Sequence, residues 1–232
     1  MMPHSDIAVV FDLDDTLYKE ADYVRSGVEY VVRRLSLKLR VPRMDLLGEV
    51  RRAEEAGIHP FDALYEYIDH KVSVRRMVEW YRKHVPYLIL PEESRLCLQE
   101  LVQYGYTLAM ITDGRKSGQW NKIHALGIDR FIPRELISVS DEVGADKNKL
   151  LPWERMMSLL PAVKQWWYIG DNPRKDFHHP NALGWNTVML LDDGRNIKTQ
   201  KITLAKTYLA KFNISTLDEL LPLIQAHASS SY

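Results

Sequence analysis

The chain has almost no cysteine: one, Cys97, in 232 residues. An intrachain disulfide is excluded, and a reducing compartment suits the composition. Charge of either sign is not in excess, since Lys+Arg and Asp+Glu both number 31. No global field draws the chain to nucleic acid or to an anionic membrane, so any anion site has to be local. Long apolar runs are missing. The opening Met1-Met2-Pro3-His4-Ser5-Asp6 has no basic stretch and the apolar run behind it is short, which argues against a secretory leader and against a membrane span. Repeats and low-complexity segments are missing too, apart from residues 227–232, which read as a frayed tail. What remains is the expectation of a cytoplasmic chain forming one large domain, or a domain with an insert, whose 46% hydrophobic residues suffice for a core.

The chemistry begins at Ile7-Ala8-Val9-Val10-Phe11-Asp12-Leu13-Asp14-Asp15-Thr16. A β-branched apolar run of this kind reads as a buried parallel strand. It ends in three acids, at the strand end where open α/β sheets place their ligands. Residues two apart on an extended chain share a face, so Asp12 and Asp14 point the same way if the strand geometry persists. Adjacent carboxylates repel unless a proton or a cation lies between them, and a hard divalent metal is the natural third party.

Further apolar runs recur at 107–111, 136–139, 166–169 and 186–191, and helical patterns separate them at 92–104, 118–126, 150–159 and 176–183. Strands alternating with helices predict a doubly wound, Rossmann-like parallel sheet. Most of these strands run into an acid or a hydroxyl: Thr112-Asp113-Gly114, Ser140-Asp141, Gly170-Asp171, Asp192-Asp193-Gly194. Residues 17–90 differ, with helical spacing at 23–39, 44–56, 60–71 and 73–84 and no convincing strand. A helical block between strand one and strand two marks an inserted subdomain. The expected organisation is a discontinuous core, 1–16 and 91–232, with an all-helical insert at 17–90.

Asp12 and Asp14, a hydroxyl at Thr112, Lys147 in Gly144-Ala145-Asp146-Lys147, and Gly170-Asp171 with Asp176 behind it follow one another in order along the chain. This series resembles the haloacid dehalogenase-like (HAD) superfamily, of the kind with a helical cap inserted after the first motif. Gln119, Lys122 and Leu126-Gly127-Ile128 extend the match. The resemblance implies a phosphatase in which Asp12 attacks phosphorus and Asp14 protonates the leaving oxygen and then activates water. It implies Mg²⁺ on Asp12, Asp171 and the main-chain carbonyl of Asp14, and phosphate binding by Thr112, Asp113 and Lys147. Asp176 would orient Lys147 or the metal's waters, and Tyr18, where the chain leaves strand one, is a candidate on the substrate side. These roles suit phosphoryl transfer, which needs a nucleophile, a proton donor and charge neutralisation.

The implied substrate is a small phosphorylated metabolite, a nucleoside monophosphate or a sugar phosphate, with the helical block as a cap over the site. Neither nucleic acid nor membrane is an expected partner, and the chain would be a monomer or a homodimer. A phosphomutase of the same superfamily, or a binding module that kept the fold, are the alternatives; a dehalogenase is disfavoured because its leaving halide needs no acid such as Asp14. Asn148 stands where the family often has proline after the lysine, which puts the shape of that loop in question, and Lys149 rivals Lys147. Arg115 and Lys116 read as exposed loop charges. Asp15 reads as a loop residue, Trp166-Trp167 as strand packing, and His178-His179 as a poor metal pair without a thiolate near.

Overall fold

The computed structural model describes residues 6–228. The chain divides into two compact units, Met1–Ala21 with Ile89–Tyr232, and Asp22–Leu88. The sequence places these boundaries at 17 and 90; the first long helix begins between the two estimates, which accounts for the offset.

The first unit holds one parallel sheet of six strands: β1 (Ile7–Phe11), β2 (Thr107–Thr112), β3 (Ile137–Val139), β4 (Gln165–Gly170), β5 (Asn186–Leu190) and β6 (Phe212–Ile214), in the order β3-β2-β1-β4-β5-β6. All five β1 residues are buried, as a central strand covered on both faces requires. The chain leaves β1 toward β2 and β3 on one side, then returns to fill β4, β5 and β6 on the other. The reversal puts the switch point, the place where such sheets bind ligands, at the carboxyl ends of β1 and β4. Register sharpens this. Phe11 pairs with both Met110 and Ile169, so Asp12, Thr112 and Asp171 follow within one or two residues on three neighbouring strands.

In the other unit four helices pack on one another: α1 (Glu20–Leu39), α2 (Arg43–Glu55), α3 (Pro60–Tyr67) and α4 (Val74–Lys83). Val28, Val31, Val32 and Leu35 recur at helical spacing on α1 and meet Leu46, Val50, Phe61, Leu64, Met77 and Trp80 in one core. The starts of α3 and α4 are capped by side chains: His59 Nδ1 accepts from Phe61 N–H (3.2 Å) and Ser73 Oγ from Arg76 N–H (3.3 Å).

Six more helices flank the sheet: α5 (Glu92–Gln103), α6 (Lys116–Leu126), α7 (Ser140–Val143), α8 (Leu151–Leu159), α9 (His178–Ala182) and α10 (Leu220–Ala228). Four elements differ from the sequence reading, the first being α7, which was not anticipated. The helix expected over 176–183 shrinks to α9, because Asp176 is used in the loop before it. The pair β6 and α10 was not anticipated. The tail reading falls partly on residues 229–232, which lie outside the described residues; His227, by contrast, is within α10 and its ring packs on Trp167 and Phe212. Trp166 and Trp167 do pack within the sheet, stacked on Trp185 and Phe212. Among the described residues no helix is long and apolar enough to cross a membrane.

Candidate active site

A cavity of about 180 Å³ opens at the switch point, lined by Asp12, Asp14, Asp113, Lys147 and Asp171, with Lys175 and Lys198 among its other walls. β1 delivers Asp12, whose main-chain N–H donates to Ile169 O (2.8 Å) and so continues the sheet register by one residue. Asp14 follows in the turn. Asp15 adopts φ +58°, a conformation that costs a side-chain-bearing residue energy. It is held there by its own carboxylate, which accepts Glu20 N–H (2.9 Å) on one oxygen and Ile197 N–H (3.0 Å) on the other.

Lys147 is the electrostatic centre. Only 2% exposed, its ammonium lies 2.9 Å from Asp12 Oδ1 and donates to Asp176 Oδ1 (2.6 Å) and Tyr168 Oη (3.2 Å). Burial alone would lower its pKa; the carboxylates of Asp12 and Asp176 outweigh that and hold it well above the usual lysine value. Asp176 is fully buried, and its second oxygen accepts Asn172 N–H (2.8 Å). Gly170 makes room for it, since a Cβ there would collide with the Asp176 carboxyl. The loop carrying Lys147 is tied down by Trp153 Nε1–H to Lys147 O (3.1 Å) and by Lys147 N–H to Asp113 Oδ1 (3.0 Å). Asn148, in the proline's place, uses the N–H that proline lacks: it donates to Asp146 Oδ1 (3.2 Å), an Asx turn that shapes the loop by other means. Lys149 is exposed.

Asp14 is held by side chains from another element. Lys122 Nζ lies 2.7 Å from its Oδ1, Gln119 Nε2 donates to its Oδ2 (2.9 Å), and the Tyr18 hydroxyl also donates to Oδ1. Gln119 reaches Thr112 Oγ1 as well (2.6 Å). Gln119 and Lys122 sit three residues apart on α6, on one face. Sequence reasoning gave them no role in the site; two buried polar residues flanking the apolar Trp120 and Ile123 were the available signal.

Asp171 is different. It is 4% exposed, and no cation lies within ion-pair distance of it among the described residues. Burial, then the charges of Asp176 and Asp12, push its pKa up to about 9. Burial likewise raises Asp12 to about 7, against the attraction of Lys147. Oxygens of Asp12, Asp171 and Asp176 come within 4.8 Å of one another. The Lys147 ammonium thus pairs with two of these three buried carboxylates, Asp12 and Asp176, and not with Asp171. The donor set, hard oxygens with a deficit of positive charge, fits a divalent cation on Asp12 and Asp171.

The family model for haloacid dehalogenase-like hydrolases matches residues 9–190. The chain belongs to the haloacid dehalogenase-like hydrolases. The hydrolase is 25% identical over 233 residues to a glyceraldehyde 3-phosphate phosphatase of Methanocaldococcus jannaschii, covering 94% of this chain and 96% of that one. A protein of the same description from Methanopyrus kandleri is 27% identical over 79% of this chain and 83% of its own. In fold the hydrolase is similar to a magnesium-bound HAD hydrolase of Bacillus subtilis, with a TM-score of 0.60, 16% identity and coverage of 94% and 97%.

Two residues of this hydrolase make contacts that their sequence assignment does not include. The Asp113 carboxylate accepts from Lys147 N–H (3.0 Å) and from Lys175 Nζ (3.1 Å) and so braces the loop that carries Lys147. Tyr18 is 3% exposed and its hydroxyl donates to Asp14. Of the histidines, His178 stacks on Tyr208 and His179 Nε2 bonds Asn148 O (2.9 Å). Lys19, Glu20, Lys175, Asn196, Lys198 and Gln200 were not anticipated in or around the site.

The raised acids give the metal-free hydrolase a signed pH dependence. A carboxyl whose folded pKa exceeds its unfolded value stabilises the fold fully below the unfolded pKa, and that contribution is lost as pH rises through the folded one. With Asp12 near 7 and Asp171 near 9, the unfolding temperature of chelator-treated protein should fall from pH 5 to pH 9. Saturating Mg²⁺ should reverse most of the fall. A flat or rising profile in the chelator-treated protein contradicts the electrostatic reading.

Proposed function

We propose that this phosphoric monoester hydrolase removes the phosphoryl group from small sugar phosphates, with Mg²⁺, through an aspartyl-phosphate on Asp12. The observation that carries the reading is the placement of Asp12 against a buried lysine, beside an Asp171 with no cation in ion-pair distance among the described residues. In the first step an Asp12 oxygen bonds to phosphorus as the bond to the leaving oxygen breaks, and Asp14 gives that oxygen its proton. In the second, Asp14 takes a proton from water, the water oxygen bonds to phosphorus, and Asp12 leaves as the carboxylate. Lys122, Gln119 and Tyr18 keep the Asp14 carboxyl in place through both. Lys147 neutralises phosphoryl oxygens. The Thr112 hydroxyl accepts from Gln119, which leaves its own proton free for the phosphoryl group. A dication held by Asp12, Asp171 and the Asp14 carbonyl would supply the charge that lets a carboxylate approach a phosphate.

The substrate class follows the relatives described as glyceraldehyde 3-phosphate phosphatases, and at lesser coverage a ribulose-1,5-bisphosphate 5-phosphatase of Halopiger xanaduensis. In this reading the helical unit keeps the cap role implied by its insertion after the first motif. The test is phosphate release from triose phosphates, pentose phosphates and nucleoside monophosphates at fixed Mg²⁺. Sugar phosphates should lead the series, and chelation should stop turnover of all of them. Release of free phosphate also separates a phosphatase from a mutase. No release from any sugar phosphate, or turnover indifferent to chelation, contradicts the proposal.

A further inference from the structure

The segment from 191 to 211, between β5 and β6, holds one 3₁₀ turn, Lys206–Tyr208, and is otherwise irregular. Its first part is nevertheless tightly built. Asp192 Oδ1 accepts three main-chain N–H groups, from Gly194 (2.8 Å), Arg195 (3.1 Å) and Asn196 (3.0 Å). Gln200 ties it to the sheet: its Nε2 donates to the main-chain oxygens of Asp171 and Leu190 (2.8 Å each), and its Oε1 accepts Asp192 N–H (2.9 Å). Ile197 N–H reaches Asp15. The loop thereby clasps the turns after β1 and after β4 together.

At its centre Asn196 Nδ2 donates to Asp171 Oδ2 (3.1 Å), while Asn196 Oδ1 accepts from Lys19 Nζ (2.7 Å). Lys19 is itself paired with Asp193 (3.1 Å). An ammonium can only donate, so it dictates which end of the amide faces it and leaves the NH₂ for the carboxylate. Asn196 takes one oxygen of Asp171; the other, Oδ1, carries no hydrogen bond among the described residues.

The geometry points to Asn196 as a positioning residue, held by Lys19, that orients Asp171 for a divalent cation. The inference rests on the Mg²⁺ reading given above. The amide is neutral, so it fixes the carboxylate without neutralising it, which a lysine in its place would do. Partners of this kind behind a ligating group change metal affinity by about 10–100-fold when removed.

The experiment is calorimetric titration of Mg²⁺ alone into the metal-free full chain, for wild type, Asp171→Asn, Asn196→Ala and Asn196→Leu. Leu keeps the side-chain volume and guards against collapse of the loop. Wild type should bind one ion and Asp171→Asn should not. Both Asn196 variants should bind about 10–100-fold more weakly, with the metal-free unfolding temperature close to wild type. Wild-type affinity in both Asn196 variants, with or without a loss of stability, makes the residue a structural tie only and overturns the inference. Failure of the wild type to bind Mg²⁺ overturns the metal reading and the inference together, a distinct result.

Discussion

Replacing Asp12 by Asn removes turnover of an aryl phosphate by about 10⁴-fold or more at saturating Mg²⁺. The carboxamide has nearly the shape of the carboxylate, but its oxygen is a poor nucleophile and it cannot ionise. The surrounding contacts outlast the change: Lys147 keeps Asp176 and Tyr168, and Asp14 keeps Lys122 and Gln119. The same substitution should raise the unfolding temperature of the metal-free protein at pH 8, since it deletes a buried charge that is already costly there. Loss of activity together with gained stability separates a chemical defect from a folding one. Turnover within tenfold of wild type would remove Asp12 from the nucleophile's place.

The second large effect is on stability. Lys147→Met should cost about 3–5 kcal/mol in the metal-free protein at pH 8, the usual consequence of removing one partner from a buried ion network. Asp12 and Asp176, 8% and 0% exposed at the side chain, would then face each other's charge with no other ammonium within ion-pair distance of either among the described residues. Asp176→Asn, added to Lys147→Met, should recover part of the loss, because it removes one of the two stranded carboxylates. Denaturant unfolding of the single and double variants measures both numbers. A loss under about 1 kcal/mol for Lys147→Met, the scale of an exposed pair, contradicts the buried network.

The sheet was readable because its centre is extreme in composition. Five consecutive buried residues in β1 admit little but a strand covered on both faces, and the helical insert has a regular apolar spacing on α1. The acids were readable because they fall at strand ends, where backbone register, not loop conformation, sets their neighbours. What escaped is short, or depends on contacts between distant segments. β6 is three residues long. α10 carries Pro222 within an apolar run, although Thr216 and Glu219 form the capping box that announces a helix. Gln119 and Lys122 were legible as motif residues but not as holders of Asp14, since nothing in spacing says which carboxylate a helix face will meet. Asn196 was illegible: its contact needs an irregular loop to fold on Asp192 first. Nor could spacing show that the Asp113 carboxylate accepts from the Lys175 ammonium and the Lys147 main-chain N–H.

The most direct test of the account is a rapid acid quench of one turnover of an aryl phosphate by the Asp14→Ala variant with Mg²⁺. An aryl oxide leaves without a proton donor, so the first step survives, while the second step lacks its base and the intermediate should accumulate. Peptide mapping of the quenched protein should find the phosphoryl group on Asp12, with aryl oxide released ahead of phosphate. Aryl oxide and phosphate appearing together, with Asp12 unmodified, would contradict it.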